Sequence, residues 1–381
     1  MDRRDFLRAG VVAAGATALG GSLWRDGFAA VAGDSPYGPL RAADGNGVRL
    51  PERFRSRVVA RSGQRVGTYT WHGAPDGGAC FSTGDGGWVY ASNSELVSGG
   101  GAGVVRFDSE GRVLGGRRIL SGTSSNCAGG ATPWGTWLSC EETARGRVWE
   151  CDPTGSRAAV ARPAMGRFAH EAAAVDTTRQ VVYLTEDAPD GCFYRFRPTR
   201  WPDLSAGVLE VMAGSGTGVA WLRVPDSSAA STPTRMQVPG ARVFRGGEGC
   251  WWARGVCWFT TKGDGRVWRY DVTAGRLDVA WSGGQPLTGV DNVVGSRSDD
   301  LFVAEDGGDM QVCVLTPEGT VAPFLQVVGH DGSEITGPAF SPDGTRLYFS
   351  SQRGTTGRST GGVTFEVRGP FRRSTRDVAW Y

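Results

Sequence analysis

The side chains in this sequence with the most chemistry to offer are a thiol and a series of carboxylates. Between Gly122 and Thr143 the chain reads Gly-Thr-Ser-Ser-Asn-Cys-Ala-Gly-Gly-Ala-Thr-Pro-Trp-Gly-Thr-Trp-Leu-Ser-Cys-Glu-Glu-Thr. Cys127 stands behind Asn126 and before a Gly-Gly turn, and a short aromatic strand then ends on Glu141 and Glu142. Carboxylate oxygens at such strand tips suit a hard cation such as Ca²⁺, whereas a thiolate among them asks for a softer or more Lewis-acidic ion such as iron or zinc. The histidines His72, His170 and His330 are too few for a histidine-rich zinc site.

Five further segments repeat the strand with a polar tip: 89–95 ending on Glu95, 183–187 on Glu186 and Asp187, 258–264 on Lys262 and Asp264, 302–306 on Glu305 and Asp306, and 348–353 on Gln352 and Arg353. Aligned on positions 89, 137, 183, 258, 302 and 348, they recur at steps of 48, 46, 75, 44 and 46. A period in the forties made of short strands is the signature of propeller blades. The sequence therefore predicts an all-β, six-bladed β-propeller over 33–381, with an inserted loop region at about 203–240 accounting for the one long step.

Each aligned strand is preceded by a second polar or small cluster: Asp76 to Cys80, Asn126-Cys127, His170-Glu171, Gly247 to Cys250, Asp291-Asn292 and Thr336-Gly337. In a blade the first strand lines the channel and the second returns antiparallel, so the start of one and the end of the other share a face. That geometry predicts convergence of Glu95, Cys127, Glu141 or Glu142, Glu171, Glu186 or Asp187, Glu248, Asp291, Glu305 and Asp306 on one mouth. So many ionised acids would repel one another, and bound cations resolve the conflict. Lys262, the only lysine in the chain, places a cation in this ring where it could hold a substrate phosphate, and Arg353 at the sixth tip is a similar candidate. Trp134, Trp137, Trp251 and Trp252 read as blade-packing aromatics.

The elements that position these groups are legible from composition. In 381 residues there are 60 Gly and 19 Pro, a turn-rich budget that suits strands better than helices, and a formal charge of +2 supplies no basic field for nucleic acid. Hairpin turns are marked by Asp108 to Gly111, Asp152 to Gly155, Lys262 to Gly265, Pro317 to Gly319 and Ser341 to Gly344. Residues 34–75 are expected to enter the propeller and close its last blade. Arg3-Arg4-Asp5-Phe6-Leu7, an apolar run from Ala9 to Leu23 and the small residues Ala30-Val31-Ala32 read as a Tat signal with its cleavage site over 1–32. No later stretch is apolar enough to span a membrane, so a Tat-exported, periplasmic or extracellular monomer is expected, with the Tat translocase its partner during export. Of the eight cysteines, Cys250 and Cys257 flank a hairpin and could pair, while Cys127 is expected to stay free.

The block at 122–143, the His170-Glu171 and Tyr-Leu-Thr-Glu-Asp pair (183–187) and Ser-Pro-Asp-Gly-Thr-Arg-Leu-Tyr (341–348) resemble the PhoX-type alkaline phosphatases, of which this would be a short member. The resemblance implies a Tat-exported propeller that holds Ca²⁺ and Fe³⁺ and hydrolyses a small phosphate ester. It implies that Cys127 ligates iron, that Glu142 and Glu171 are iron or bridging ligands, and that Glu95 and Glu305 are further ligands. With the neighbouring acids, the candidate ligand set is Glu95, Cys127, Glu141, Glu142, Glu171, Glu186, Asp187, Glu305 and Asp306. Two departures stand out. Asn93-Ser94-Glu95 lies where Asn-His-Glu is expected, and the tail from Gln352 to Gly362 is recast. Two other readings of the residues stay open: a calcium-dependent lactonase or phosphodiesterase-type hydrolase in which Cys127 is structural, and a non-catalytic, metal-stabilised binding propeller.

Overall fold

The computed structural model describes residues 29–373. The twin arginine and apolar run of the expected leader lie outside the described residues. Six sheets carry the fold. Their innermost strands are Pro75–Ser82, Asn126–Ala131, His170–Asp176, Gly247–Ala253, Val290–Gly295 and Ile335–Phe340. Each is followed by an antiparallel second strand: Trp88–Ser94, Trp137–Glu141, Val181–Glu186, Val256–Thr261, Leu301–Glu305 and Arg346–Ser351. The six-bladed all-β propeller expected from the repeat is the observed architecture, with one aligned position in each second strand. We number the blades one to six in that order.

These second strands are buried on both faces, because each is sandwiched within its sheet and between neighbouring blades. Continuous apolar runs such as Leu301-Phe302-Val303-Ala304 and Val181-Val182-Tyr183-Leu184 answer that environment, where an alternating pattern would bury polar groups without partners. The core between blades is aromatic: Tyr90 stacks on Tyr348 across blades one and six at 5.2 Å, and Phe193 on Phe259 across blades three and four at 4.1 Å.

The ring is closed by chain termini. Arg55–Arg61 pairs antiparallel with Val363–Arg368, so an early strand is the outer member of the sixth blade. Upstream of it, Val31–Ala32 pairs in parallel with Thr320–Val321 at the edge of blade five, where Ala30 is buried. The small-residue segment expected to be cleaved therefore runs along that edge. The region expected as an insertion at about 203–240 begins inside a regular sheet: Asp203–Ala213 is the fourth strand of blade three and Ala220–Arg223 a fifth. Only beyond it does the chain become irregular, apart from a single 3-10 turn at Thr234–Met236. Among the described residues the helical segments are short 3-10 turns, and no helix is long and apolar enough to cross a membrane.

All eight cysteines are free thiols. Cys250 and Cys257, expected as a possible pair, are unbridged, with their sulfurs 3.6 Å apart.

Candidate metal centre

One irregularity is repeated six times. The first residue of every inner strand pairs in register with the end of its second strand: Pro75 with Ser94, Asn126 with Glu141, His170 with Glu186, Gly247 with Thr261, Val290 with Glu305 and Ile335 with Ser351. Pairing is then broken by a bulge, after Thr336 in the sixth blade, and resumes three residues further on. A bulge lifts residues out of the ladder and re-aims their side chains. The residues so released are Asp76, Cys127, Glu171, Glu248 and Asp291, with Thr336 beside the sixth bulge. They form an inner ring of potential ligands around the channel.

A second ring lies at the tips of the second strands: Glu95, Glu142, Asp187, Lys262, Asp306 and Gln352. Atoms of the two rings meet. Asp76, Glu95 and Cys127 offer ligand atoms within 4.8 Å of one another, as do Cys127, Glu142 and Glu171, and again Glu171, Glu248 and Asp291. Cys127 and Glu171 are each shared between two groups, so the three make one continuous cluster across blades one to five.

Below the rings the strands come close enough that only small residues fit. Gly77, Ala128, Ala172, Gly249, Asn292 and Gly337 line a narrow central space there. A Cβ on Gly77 would stand 2.4 Å from the Ala128 Cα, which is why blades one and two can hold Asp76 and Cys127 side by side. Side chains from one blade also grip the ligand backbone of the next. Asn93 donates to the Cys127 and Ala128 carbonyls at 3.0 and 2.7 Å, Thr185 to the Glu248 carbonyl at 2.5 Å, and Thr260 to the Asp291 carbonyl at 2.5 Å. Asn93 is itself fixed by accepting from Trp137 and Ser139. Each grip residue lies two positions before a tip residue, on the same side of its strand.

The electrostatics express crowding without compensation. Burial, then the charge of Glu95, pushes Asp76 up to about 7, while burial raises Glu248 to about 8 against the pull of Lys262. Burial and the charge of Asp187 drive Glu142 to about 9. Burial, reinforced by neighbouring acids, also holds Glu171, Asp291 and the Cys127 thiol well above their ordinary ranges. Glu171 is the extreme case: it is 0% exposed, and neither carboxylate oxygen has a hydrogen-bond partner. A buried carboxylate left so costs several kcal/mol, and a cation is the partner that removes the cost.

On the other side of the mouth the chain supplies its own compensation. The Lys262 ammonium lies 2.8 Å from Glu248 and 3.6 Å from both Asp187 and Asp306. Burial opposes its charge, but these acids, Glu248 first, hold it firmly protonated. Gln352 donates its amide to Asp76 at 2.5 Å and Glu95 at 2.6 Å, and Arg353 pairs with Glu334 at 2.6 Å.

Of the residues expected from sequence to be ligands, the structure gathers Glu95, Cys127, Glu142 and Glu171 into the cluster and sets Asp187 and Asp306 on its Lys262 side. It does not bring Glu141, Glu186 or Glu305 there. Glu141 accepts from the Ser124 and Arg147 amides, Glu186 from the Cys192 amide, Tyr194 and Arg235, and Glu305 from the Thr288 and Gln311 amides. They are the penultimate members of acidic pairs, and strand alternation turns them to the outer side. Glu248 and Asp291, expected at the mouth from the polar starts of the inner strands, join through the bulges, and Asp76 with them. Glu334 and Gln352 also belong to the mouth. No sequence signal marked Glu334, and Gln352 could have been found as the residue that replaces an acid at the sixth tip. Lys262 and Arg353, expected to meet substrate, both stand at the mouth but are engaged with carboxylates.

Comparison with known proteins gives this arrangement a context. Residues 89–157 and 144–354 match the family described as alkaline phosphatase PhoX. Among solved structures, that of Pseudomonas fluorescens PhoX in complex with vanadate, a transition state analogue, superposes with a TM-score of 0.71 at 17% identity, over 91% of this chain and 98% of that one. A gluconolactonase from Xanthomonas campestris is 15% identical with a TM-score of 0.46 over 88% and 99%, and the calcium-binding protein regucalcin from Agrobacterium tumefaciens is 16% identical with 0.45 over 85% and 98%. No curated protein matches in sequence.

Proposed function

The chain belongs to the alkaline phosphatase PhoX family, and from that premise we propose that this phosphoesterase is an exported, metal-dependent phosphomonoesterase acting at the carboxylate-lined mouth of its propeller. The single observation that carries the metal reading is Glu171, wholly buried with two unpartnered oxygens at the corner of two ligand groups. The donor set fits two kinds of ion. Iron matches the group containing the Cys127 sulfur with Glu142 and Glu171, and calcium matches the all-oxygen group of Glu171, Glu248 and Asp291. When bound, such ions supply Lewis acidity toward phosphoryl oxygens and offset the charge that develops on them.

The chain's own residues do the rest. The bulged strands hold Asp76, Cys127, Glu171, Glu248 and Asp291 toward one point from rigid elements, so little reorganisation is needed when a phosphate ester arrives. Asn93, Thr185 and Thr260 keep those backbones in place. Lys262, half-exposed at the mouth, presents a point charge to an incoming phosphoryl group, and Arg353 adds a planar donor beside it. A lone phosphate monoester at the mouth would meet both. Export by the Tat route, with the leader removed, follows from Arg3-Arg4 and the apolar run behind them.

The test is elemental analysis of the purified holoprotein and of Cys127→Ala, together with release of phosphate from an aryl monoester. Iron near one equivalent in the first, its loss in the second, and metal-dependent turnover support the proposal. A protein that holds both ions and cleaves no aryl or nucleotide monoester would overturn it.

A further inference from the structure

Resting on that metal-centre reading, we propose that Lys262 is a tethered cation standing where the ring would otherwise hold a divalent ion, so that this chain's centre carries one metal fewer than its carboxylates would support. Three blades contribute to the argument. Asp187 comes from blade three, Glu248 from blade four and Asp306 from blade five, and one oxygen of each is turned to the same ammonium at 3.6, 2.8 and 3.6 Å. The ammonium is in close contact with Glu248 and within ion-pair distance of the other two acids, a compact charge shared among three carboxylates. Three acids from three blades thus surround one cation.

The lysine stem is fixed to serve it. Lys262 opens a 3-10 turn at Lys262–Asp264, its amide donates to the Gly246 carbonyl at 2.8 Å, and the next amide donates to the Arg245 carbonyl at 2.9 Å. The side chain thus leaves blade four at the level of the tip ring, where blades one, two, three and five place acids. In a sequence whose other basic residues are all arginines, the single lysine sits here. A compact ammonium can replace a spherical ion, whereas a planar guanidinium spreads its charge over a fork.

The rest of the ring supplies the contrast. Around Glu171 no side-chain donor reaches either carboxylate oxygen. On the Lys262 side, Asp187 and Asp306 already have a cation, and Glu248 stands between that ammonium and the group it shares with Glu171 and Asp291. Calcium–oxygen distances are about 2.3–2.6 Å, so without the ammonium the Asp187 and Asp306 oxygens, now 3.6 Å from its nitrogen, would each move in by about 1 Å to close on an ion beside Glu248.

The test counts metals in the holoprotein, in Lys262→Ala, in Lys262→Gln and in Lys262→Arg, each equilibrated with calcium, freed of excess and analysed by mass spectrometry of the elements. The expected result is a gain of about one calcium equivalent in the Ala and Gln variants and none in the Arg variant. Lys262→Gln keeps the bulk of the stem if the Ala variant fails to fold. An unchanged metal count in both neutral variants, with metal present in the parent, overturns the inference while leaving the metal centre intact. Absence of metal from the parent overturns both.

Discussion

Glu141 and Glu142 are bonded neighbours whose carboxylates serve opposite sides of one strand. Glu141 accepts from the Ser124 and Arg147 amides at 3.2 Å each, whereas Glu142 offers an oxygen within 4.8 Å of the Cys127 sulfur and a Glu171 oxygen. Glu142→Gln should therefore lose bound metal and most phosphatase activity with little change in melting temperature of the metal-free protein. Glu141→Ala should do the reverse, keeping its metal and losing about 1 kcal/mol of stability as two amides are left to water or to nothing. Elemental analysis and thermal unfolding of the pair separate the roles, and metal loss on Glu141→Ala instead would reverse the assignment.

Asn93 never enters the cluster, yet it holds the backbone of Cys127 and Ala128 across a blade boundary. Asn93→Ala removes both donors and leaves two buried carbonyls, with Trp137 and Ser139, lacking their partner. The expected loss is about 2–3 kcal/mol of stability. Metal affinity should drop roughly 10- to 100-fold, the usual scale for a residue that orients a ligand. Titration of the chelated protein with iron reads it out. Equal affinity in parent and variant would show that the thiol needs no such support.

Ion binding should be a stability term of its own. Ligands bound only by the folded chain stabilise it by mass action, about 2.7 kcal/mol when free ion stands at 100 times its dissociation constant. Adding calcium to the chelated protein should raise its melting temperature in proportion to the logarithm of concentration, and Glu171→Gln should blunt the rise. A melting temperature indifferent to calcium would argue that the carboxylates are neutralised by protons alone.

Acid should act through a buried histidine that is not itself among the candidate ligands. His72 is buried between Tyr69 and Ser92, and burial, helped by Arg118, lowers it from 6.5 to about 3. Its folded value lies below its unfolded one, so the unfolded chain takes the proton first. Stability is fully present above about pH 6.5 and falls by about 1.4 kcal/mol per unit as pH drops toward 3. Denaturant unfolding of His72→Gln across that window should show a slope shallower by about that amount, and parallel slopes would mean that His72 titrates alike in both states.

The propeller was legible in the sequence because each blade repeats one strand with an aromatic or aliphatic anchor and a polar tip, and burial on both faces enforces that run. The site was legible only as a neighbourhood. Which of two adjacent acids faces the channel depends on register, and a one-residue change moves every side chain to the other side. The signals at 141–142, 186–187 and 305–306 were therefore symmetric until pairing was known. Glu248 and Asp291 were legible at the mouth from the polar starts of the inner strands, whereas the bulges that release them, and Asp76 with them, carry no compositional mark. Gln352 does its work as a neutral amide between Asp76 and Glu95, a role that a search for charge passes over.

The pairing of Arg55–Arg61 with Val363–Arg368 sets an order of events during synthesis. The outer strand of blade six is among the first propeller segments to leave the ribosome, and it must wait for the last strand before it has a partner. Until then the ring is an open arc, and the ends must be brought together across nearly the whole chain before their contacts reward closure. Blades one and six are then not yet neighbours, so Gln352 cannot reach Asp76 and Glu95. The mouth with Gln352 in place is consequently a product of the closed ring, and an ion meets the full set of groups only in the compartment in which the circle closes.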